Sequence, residues 1–474
     1  MPNIDLDLLT PDVTLPATAV LFGADDQVSG PASVYPIGAV ADALITTDAF
    51  AGLETYAIAA EADRAAIVAM GSVPAAPYLL DGLPPAAIIS APRDAYMLNG
   101  AYVPLSSLLT FSSAQKYTIG ADGKYKLNAG NGPAYEWSGG RSRLLIEANP
   151  STNYWPNSED CTLWPNAIGY VPSVTPGGLG AIAVQTLTAT AIDMQATAFA
   201  VVMTAGSWIT KRFLIKSTTG AANILVGFYG TVSEFGASGD TTVRIVSGPA
   251  TVAAVPGFYG LWKLNGLSAT TWSEIEVTRH VLVAETMLHE LYAQGVSVGQ
   301  TLTLARCQVE KTDYSSSYTP CGASPTTRPA DVVTAAPGLL ALLQGNAATV
   351  AVRGTTQFGG ASPPLIASAS RGNGVLITTT QAQAYPGPLV ASLPSVSADF
   401  GVVAGYSPSG RKLVANGGTV VTDTGELFGS TDTGIQFAIS TVNGLAANMI
   451  LDDIIVWPFY GADAGSQDQA RVYP

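Results

Sequence analysis

Short apolar runs separated by turn residues recur along most of the chain. Between residues 181 and 304 about eight of them stand out, among them 198–203, 209–215, 224–229, 242–246, 260–264, 272–277 and 300–304. Each is bounded by Gly, Pro, Asn or Ser, which is the pattern of strands joined by tight turns. No helical periodicity alternates with them, so a parallel α/β sheet is not expected. An open sheet of that many strands would leave edges and one bare face, so the spacing predicts a sandwich or jelly roll. Upstream, Ala121-Asp122-Gly123-Lys124 is a hairpin signal with Tyr117, Ile119, Tyr125 and Leu127 alternating around it. Asp-Gly suits the type I′ turn, whose twist matches the flanking strands. Beyond residues 331–338 the runs 348–353, 365–369, 375–380, 397–405, 411–415 and 448–459 again read as strands, with Asn416-Gly417 as a turn.

Residues 1–75 read differently. A strand, a polar turn and a second strand occupy 20–40. A helix then starts at Thr47-Asp48, with Leu53, Tyr56, Ala60 and Ile67 near one face and Gly71 and Pro74 after it. Such a helix packs either against copies of itself around an axis or against its own chain. Residues 76–104 are rich in Pro and Ala and read as a connector. The expected fold class is therefore mostly β. A small mixed α/β module (1–75) and a connector (76–104) precede two tandem antiparallel β-sandwich, jelly-roll domains at 105–332 and 333–474.

Composition narrows the function classes. Charged residues are only 12% and apolar residues 47%, which is not the signature of a disordered chain. The formal net charge of −14 opposes nonspecific binding to nucleic acid or to anionic membranes. No run is long and apolar enough to span a bilayer, so no membrane insertion is expected. The start, Met1-Pro2-Asn3-Ile4-Asp5, lacks a basic leader segment, so the expected place of folding is the bacterial cytoplasm. Three cysteines fit a reducing compartment. Cys307 and Cys321 are read as reduced buried thiols, with pairing outside the cell as the alternative.

Two separated stretches carry a resemblance. The first holds Leu144-Leu145-Ile146-Glu147, Thr152-Asn153, Asn157-Ser158-Glu159-Asp160 and Trp164. The second holds Gln308-Val309-Glu310, Ser317-Tyr318-Thr319-Pro320 and Thr327-Arg328-Pro329-Ala330-Asp331. In this order they resemble the opening and closing of a carbohydrate-binding-like jelly roll found on phage virion proteins, over roughly 105–332. Tyr154, Pro329, Cys307 and Cys321 depart from that pattern. The strand order after 333 resembles a laminin-G/concanavalin-like lectin sandwich. The resemblance implies a tail fibre, head fibre or spike, displayed on the virion surface and joined to other virion proteins through residues 1–75. Contact with host surface glycan is the expected role, and a homotrimer the expected assembly.

Few residues offer candidate chemistry. His280 and His289 have no Cys or third ligand nearby, which makes zinc improbable, and no phosphate-loop or nucleophile-elbow motif occurs. Glu274 and Glu276 share a strand face with Trp272, at a spacing open to a glycosidase pair or to a solvated strip. Asp399, Asp452 and Asp453 read as solvated carboxylates, with calcium as the alternative. Six of seven tryptophans lie between 137 and 272. Such rings either fill a core or stack on sugar faces. The candidate glycan site is Tyr154, Trp155, Asn157, Asp160 and Trp272, with Trp155 expected in an exposed loop. No catalytic residue, metal or cofactor is expected. The reading is a non-enzymatic structural protein, with a capsule-degrading tailspike or a ligand-free decoration protein as alternatives.

Overall fold

A computed structural model describes residues 78–471, apart from 166–167, 219–222, 231–239, 257–259, 358–363, 379, 388, 394–398, 441–444 and 447. The anchoring module expected over 1–75 lies outside the described residues. The described residues all belong to one compact unit, Ala75–Pro474.

The protein is mostly β, built of antiparallel sheets in two sandwiches. The first has a six-stranded sheet in the order Tyr170–Leu179, Ile182–Ala189, Thr301–Glu310, Trp208–Ser217, Ser273–His280 and Thr241–Ser247. Facing it is a five-stranded sheet of Asp193–Met203, Glu285–Gln294, Asn223–Gly230, Leu261–Asn265 and Thr251–Ala254. Side chains alternate across each strand. Ile209, Phe213 and Ile215 thus enter the core between the sheets, where they meet Val226, Phe228, Leu291 and Leu304. Arg212 and Lys216 point the other way. Lys211 is an exception to the polarity rule: it faces the core, donates to the Gly227 carbonyl and lies 4.9 Å from the Phe228 ring centre.

The second sandwich draws strands from both sides of the first. Its larger sheet runs Ala101–Tyr102, Ala95–Leu98, Ala87–Ser90, Asn448–Trp457, Ala348–Gln357, Asp399–Ser407, Gly410–Ala415 and Val421–Asp423. Arg141–Glu147 also pairs with Asn448–Trp457, and Ala134–Ser138 with Arg141–Glu147. The opposing sheet includes Leu109–Ser112, Val332–Ala335, Ile435–Phe437 and Pro364–Ser368. One core lies between these sheets, around Ile89, Leu144, Ile146, Val350, Leu413, Phe437 and Val456. A smaller cluster of Tyr78, Leu80, Ile88, Ile455 and Trp457 covers the outer face of the larger sheet.

The sandwiches are therefore nested, not tandem, and two expected boundaries move. Residues 87–102, within the expected connector, form strands of the larger sheet, with Ile88 facing Ile455 and Ile89 facing Ile454. All four residues of Ala87–Ser90 are buried because the sheet is covered on both faces there. The strand expected to open the central sandwich belongs to the other one, with Leu144 facing Leu451 and Ile146 facing Met449. The central sandwich is an insertion whose ends lie side by side: the Asp331 N–H donates to the Glu147 carbonyl at 2.9 Å.

The opening and closing motifs do meet. Ser151–Asn153 pairs with Thr326–Arg328. Ser158 Oγ is 2.9 Å from the Tyr318 hydroxyl, and Glu159 accepts a hydrogen bond from that hydroxyl. Glu147 is fully buried and accepts the Ser317 N–H at 2.6 Å. Arg328 lies 3.5 Å and Lys116 3.7 Å from its carboxylate, and Lys116 also pairs with Asp331. The motif residues thus form a buried, charge-balanced clasp between the sandwiches.

Candidate functional site

Of the five residues expected to form a glycan site, Trp155 does not reach the surface. Trp155 is fully buried, with its ring 4.2 Å from His289, 5.4 Å from Trp164 and 5.9 Å from Phe199. Asn153 causes this. Its Oδ1 accepts the N–H groups of Trp155 (2.9 Å) and Val309 (3.0 Å), and its Nδ2 donates to the Thr319 carbonyl (2.8 Å). The turn that looked like an exposed loop is thereby pinned to the Thr301–Glu310 strand, and the next ring is driven inward. Asn157, at φ 50°, donates to the Leu163 carbonyl at 3.1 Å. Asp160 caps a short 3-10 turn by accepting the Thr162 N–H at 3.0 Å. Both are local framework groups.

Tyr154 is half-buried under Lys311, whose ammonium lies 4.9 Å from the ring centre. Trp272 is half-buried too. Lys216 covers it at 4.7 Å, and it packs beside Tyr125, Ile182, Leu214 and Tyr318.

The carboxylates considered for catalysis or calcium are held by arginines. Glu274 accepts from Arg212 at 2.9 Å and from Arg306 at 3.1 Å. Burial pushes its carboxyl up, but the two guanidiniums outweigh that and hold it below the ordinary range. Glu276 accepts from Arg244 at 2.7 Å. Glu274 is therefore held ionised between two guanidiniums, which does not suit it to donate a proton as a glycosidase acid does. Asp452 pairs with Arg143 (2.8 Å) and Arg141 (3.1 Å), and Asp453 with Arg353 (3.1 Å). Asp399 accepts from Thr355. Among the described residues no group of three or more His, Cys, Asp or Glu side chains converges on a metal-sized site. Cys161, Cys307 and Cys321 are buried free thiols.

A small polar cavity of about 40 Å³ is lined by Tyr117, Tyr125, Glu136, Arg212 and Arg306. Burial pushes Glu136 up to about 7, against the Ile119 N–H at 3.1 Å and the nearby arginines. This volume holds a few waters at most. A sugar ring does not fit.

The open surface lies at the rim of the six-stranded sheet. Trp208 is 38% exposed, and its ring stacks on His280 at 4.5 Å and 28°. The two face each other in register, at the ends of adjacent strands. Residues two further along share their face, roughly 7 Å away by strand rise. There Thr210 and Thr278 bond to each other at 3.1 Å, beside the exposed Thr242. The next position carries the exposed Arg244, paired with Glu276. Thr210 and Thr278 are buried, so a flat ring, the single exposed hydroxyl of Thr242 and a guanidinium follow one another along this rim. The sequence gives no local sign that Trp208 and His280 stack. Their register is set by long-range pairing between residues 72 positions apart.

No family model and no curated protein matches the chain. Among solved structures it is similar to the CBM40 module of the Ruminococcus gnavus IT-sialidase bound to α2,3 sialyllactose, with 15% identity over 29% of this chain and 88% of that one and a TM-score of 0.25. It is similar also to domain 4 of AbnA, a GH43 extracellular arabinanase from Geobacillus stearothermophilus, in complex with arabinotriose, with 11% identity over 52% of this chain and 100% of that one and a TM-score of 0.24. A third is the Trypanosoma rangeli sialidase in complex with sialic acid, with 9% identity over 83% of this chain and 72% of that one and a TM-score of 0.22. At scores this low the likeness carries no argument about ligand or reaction.

Proposed function

We propose that this is a structural, non-enzymatic protein of a phage virion surface, a fibre, spike or head decoration, that contacts host surface polysaccharide through the rim at Trp208 and His280. The observation that carries the glycan reading is the half-exposed Trp208 ring backed by His280 and followed by the Thr242 hydroxyl and the Arg244 guanidinium. The ring offers a stacking face, and the polar groups beyond it suit the hydroxyls of an extended chain. The virion setting rests on the opening and closing motifs. In this reading residues 1–75 join other virion proteins, the chain folds in the bacterial cytoplasm, and the assembly is a homotrimer.

Binding of purified protein to host capsule, followed by calorimetry, tests the site. Trp208→Ala should weaken binding by at least about tenfold, since an aromatic contact of this kind contributes on the order of 1 kcal/mol or more beyond its area burial. Trp155→Phe, placed in the core, should leave affinity unchanged in the folded fraction. Unaltered binding by Trp208→Ala sinks the assignment.

One observation favours the depolymerase alternative: Glu136, which lines the cavity, is pushed up, while Glu274, bonded to the lining arginines Arg212 and Arg306, is held down. The size of that cavity argues against it. New reducing ends from capsule, lost in Glu136→Gln, would establish cleavage instead.

A further inference from the structure

We infer that the end of the inserted sandwich opposite the aromatic rim is a contact surface for a second copy of this chain. Four aliphatic side chains protrude there: Ile168 at 62% exposure, Val171 at 59%, Ile192 at 70% and Val298 at 69%. They sit on neighbouring loops that are bonded to one another. The Val296 N–H donates to the Ile192 carbonyl (2.9 Å), Gly299 to Ala189 (2.9 Å), Thr190 to Gly169 (2.9 Å) and Ile168 to Gln195 (3.1 Å). The backbone that carries these side chains is thus held in place, and the apolar surface is preformed.

Charge selects the occupant. The chain carries a net −14, so most approaches between copies are repulsive. The loop segments 168–171, 188–193 and 295–300 contain one charged residue, Asp193, whose carboxylate accepts the Gly295 N–H at 3.4 Å. End-on approach at these loops brings little charge together and covers the aliphatic surface of both copies. A two-fold contact would set each patch against its own equivalent and, in a homotrimer, would join chains of two different trimers. An anionic bilayer fits less well, because these segments hold no lysine or arginine to meet headgroups. A glycan fits less well, because the protruding side chains offer no flat ring. The four side chains expose on the order of 500 Å² per copy, so the contact sits near the lower limit for a specific interface and should be weak.

Neither the patch nor its occupant depends on the glycan reading. The test is homotypic crosslinking of the full chain carrying Ile192→Cys, with Val202→Cys as control. Val202 is equally exposed but lies at the other end, and the native cysteines are buried. Mild oxidation should give a covalent dimer of Ile192→Cys at least about tenfold faster than of the control, because the contact raises the local thiol concentration. Sedimentation should show the average mass of the wild type falling in Ile192→Ser/Val298→Ser, with an unchanged circular dichroism spectrum. Equal crosslinking rates, or the same mass for wild type and double variant, would overturn it. So would patch-dependent flotation with phosphatidylcholine vesicles, which would assign the surface to lipid.

Discussion

His289 illustrates how a single side chain sets a condition on the whole core. It is fully buried against Trp155, Phe199 and Phe228, and neither ring nitrogen has a hydrogen-bond partner among the described residues. Burial, with the nearby Lys211 ammonium, holds its pKa well below the ordinary value. The unfolded chain therefore takes up a proton below about pH 6.5 that the folded chain does not. Stability from this group is complete above that pH and falls by about 1.4 kcal/mol per pH unit below it. His289→Leu should flatten the acid side of the stability curve while changing stability at pH 7 by no more than about 1 kcal/mol. Urea midpoints measured at neutral and mildly acidic pH test this, and an unchanged acid slope in the variant would show that the ring is not neutral in the fold. The sequence shows that this histidine has no companion ligands nearby. Its burial was not legible there, because the residues that enclose it come from distant strands.

At the scale of elements, the clasp around Glu147 shows what a motif does and does not reveal. The short words Leu144-Leu145-Ile146-Glu147 and Ser317-Tyr318 were visible as a matched pair. Their work as a buried junction was not, since Lys116, Glu147, Ser317, Arg328 and Asp331 are gathered only by the fold. Burial pushes the Glu147 carboxyl up, yet Arg328 and Lys116 together outweigh it and hold the group ionised below the ordinary range. Its contribution is therefore present above the carboxylate range and is lost as pH falls through it. Glu147→Gln leaves two buried cations with a single carboxylate, Asp331. It should destabilise the protein by about 3–5 kcal/mol, the usual penalty for removing one member of a buried pair. Calorimetric unfolding measures this directly. A loss within about 0.5 kcal/mol would mean that water reaches the clasp and screens it. The expected exposure of Trp155 failed at this same scale. Asn153 turns Trp155 into the core, whereas the exposed Trp208 depends on a strand pairing that no local pattern encodes.

For the molecule as a whole, the strand content and antiparallel sandwich class were legible from alternation and turn chemistry, but the nesting was not. Alternation tells which side of a strand is buried, and says nothing about a partner more than three hundred residues away. Ala87–Ser90 against Asn448–Trp457 is such a pairing. The nesting makes a strong prediction about which pieces fold. Cutting at the apparent boundary, to give residues 333–474 alone, strips Asn448–Trp457 of both strands on one flank and removes Leu109–Ser112 from the opposing sheet. That fragment should be largely unfolded, with poor dispersion of amide resonances. Replacing residues 149–330 by a short Gly-Ser linker keeps every one of those pairings. The linker has little distance to span, because Glu147 and Asp331 already share a backbone hydrogen bond. This shortened protein should unfold cooperatively, though at a lower temperature than the full chain, because Glu147 loses Arg328 and Ser317. A well-dispersed spectrum from 333–474 together with an unfolded linker variant would refute the nested arrangement, since only a self-contained C-terminal sandwich behaves that way.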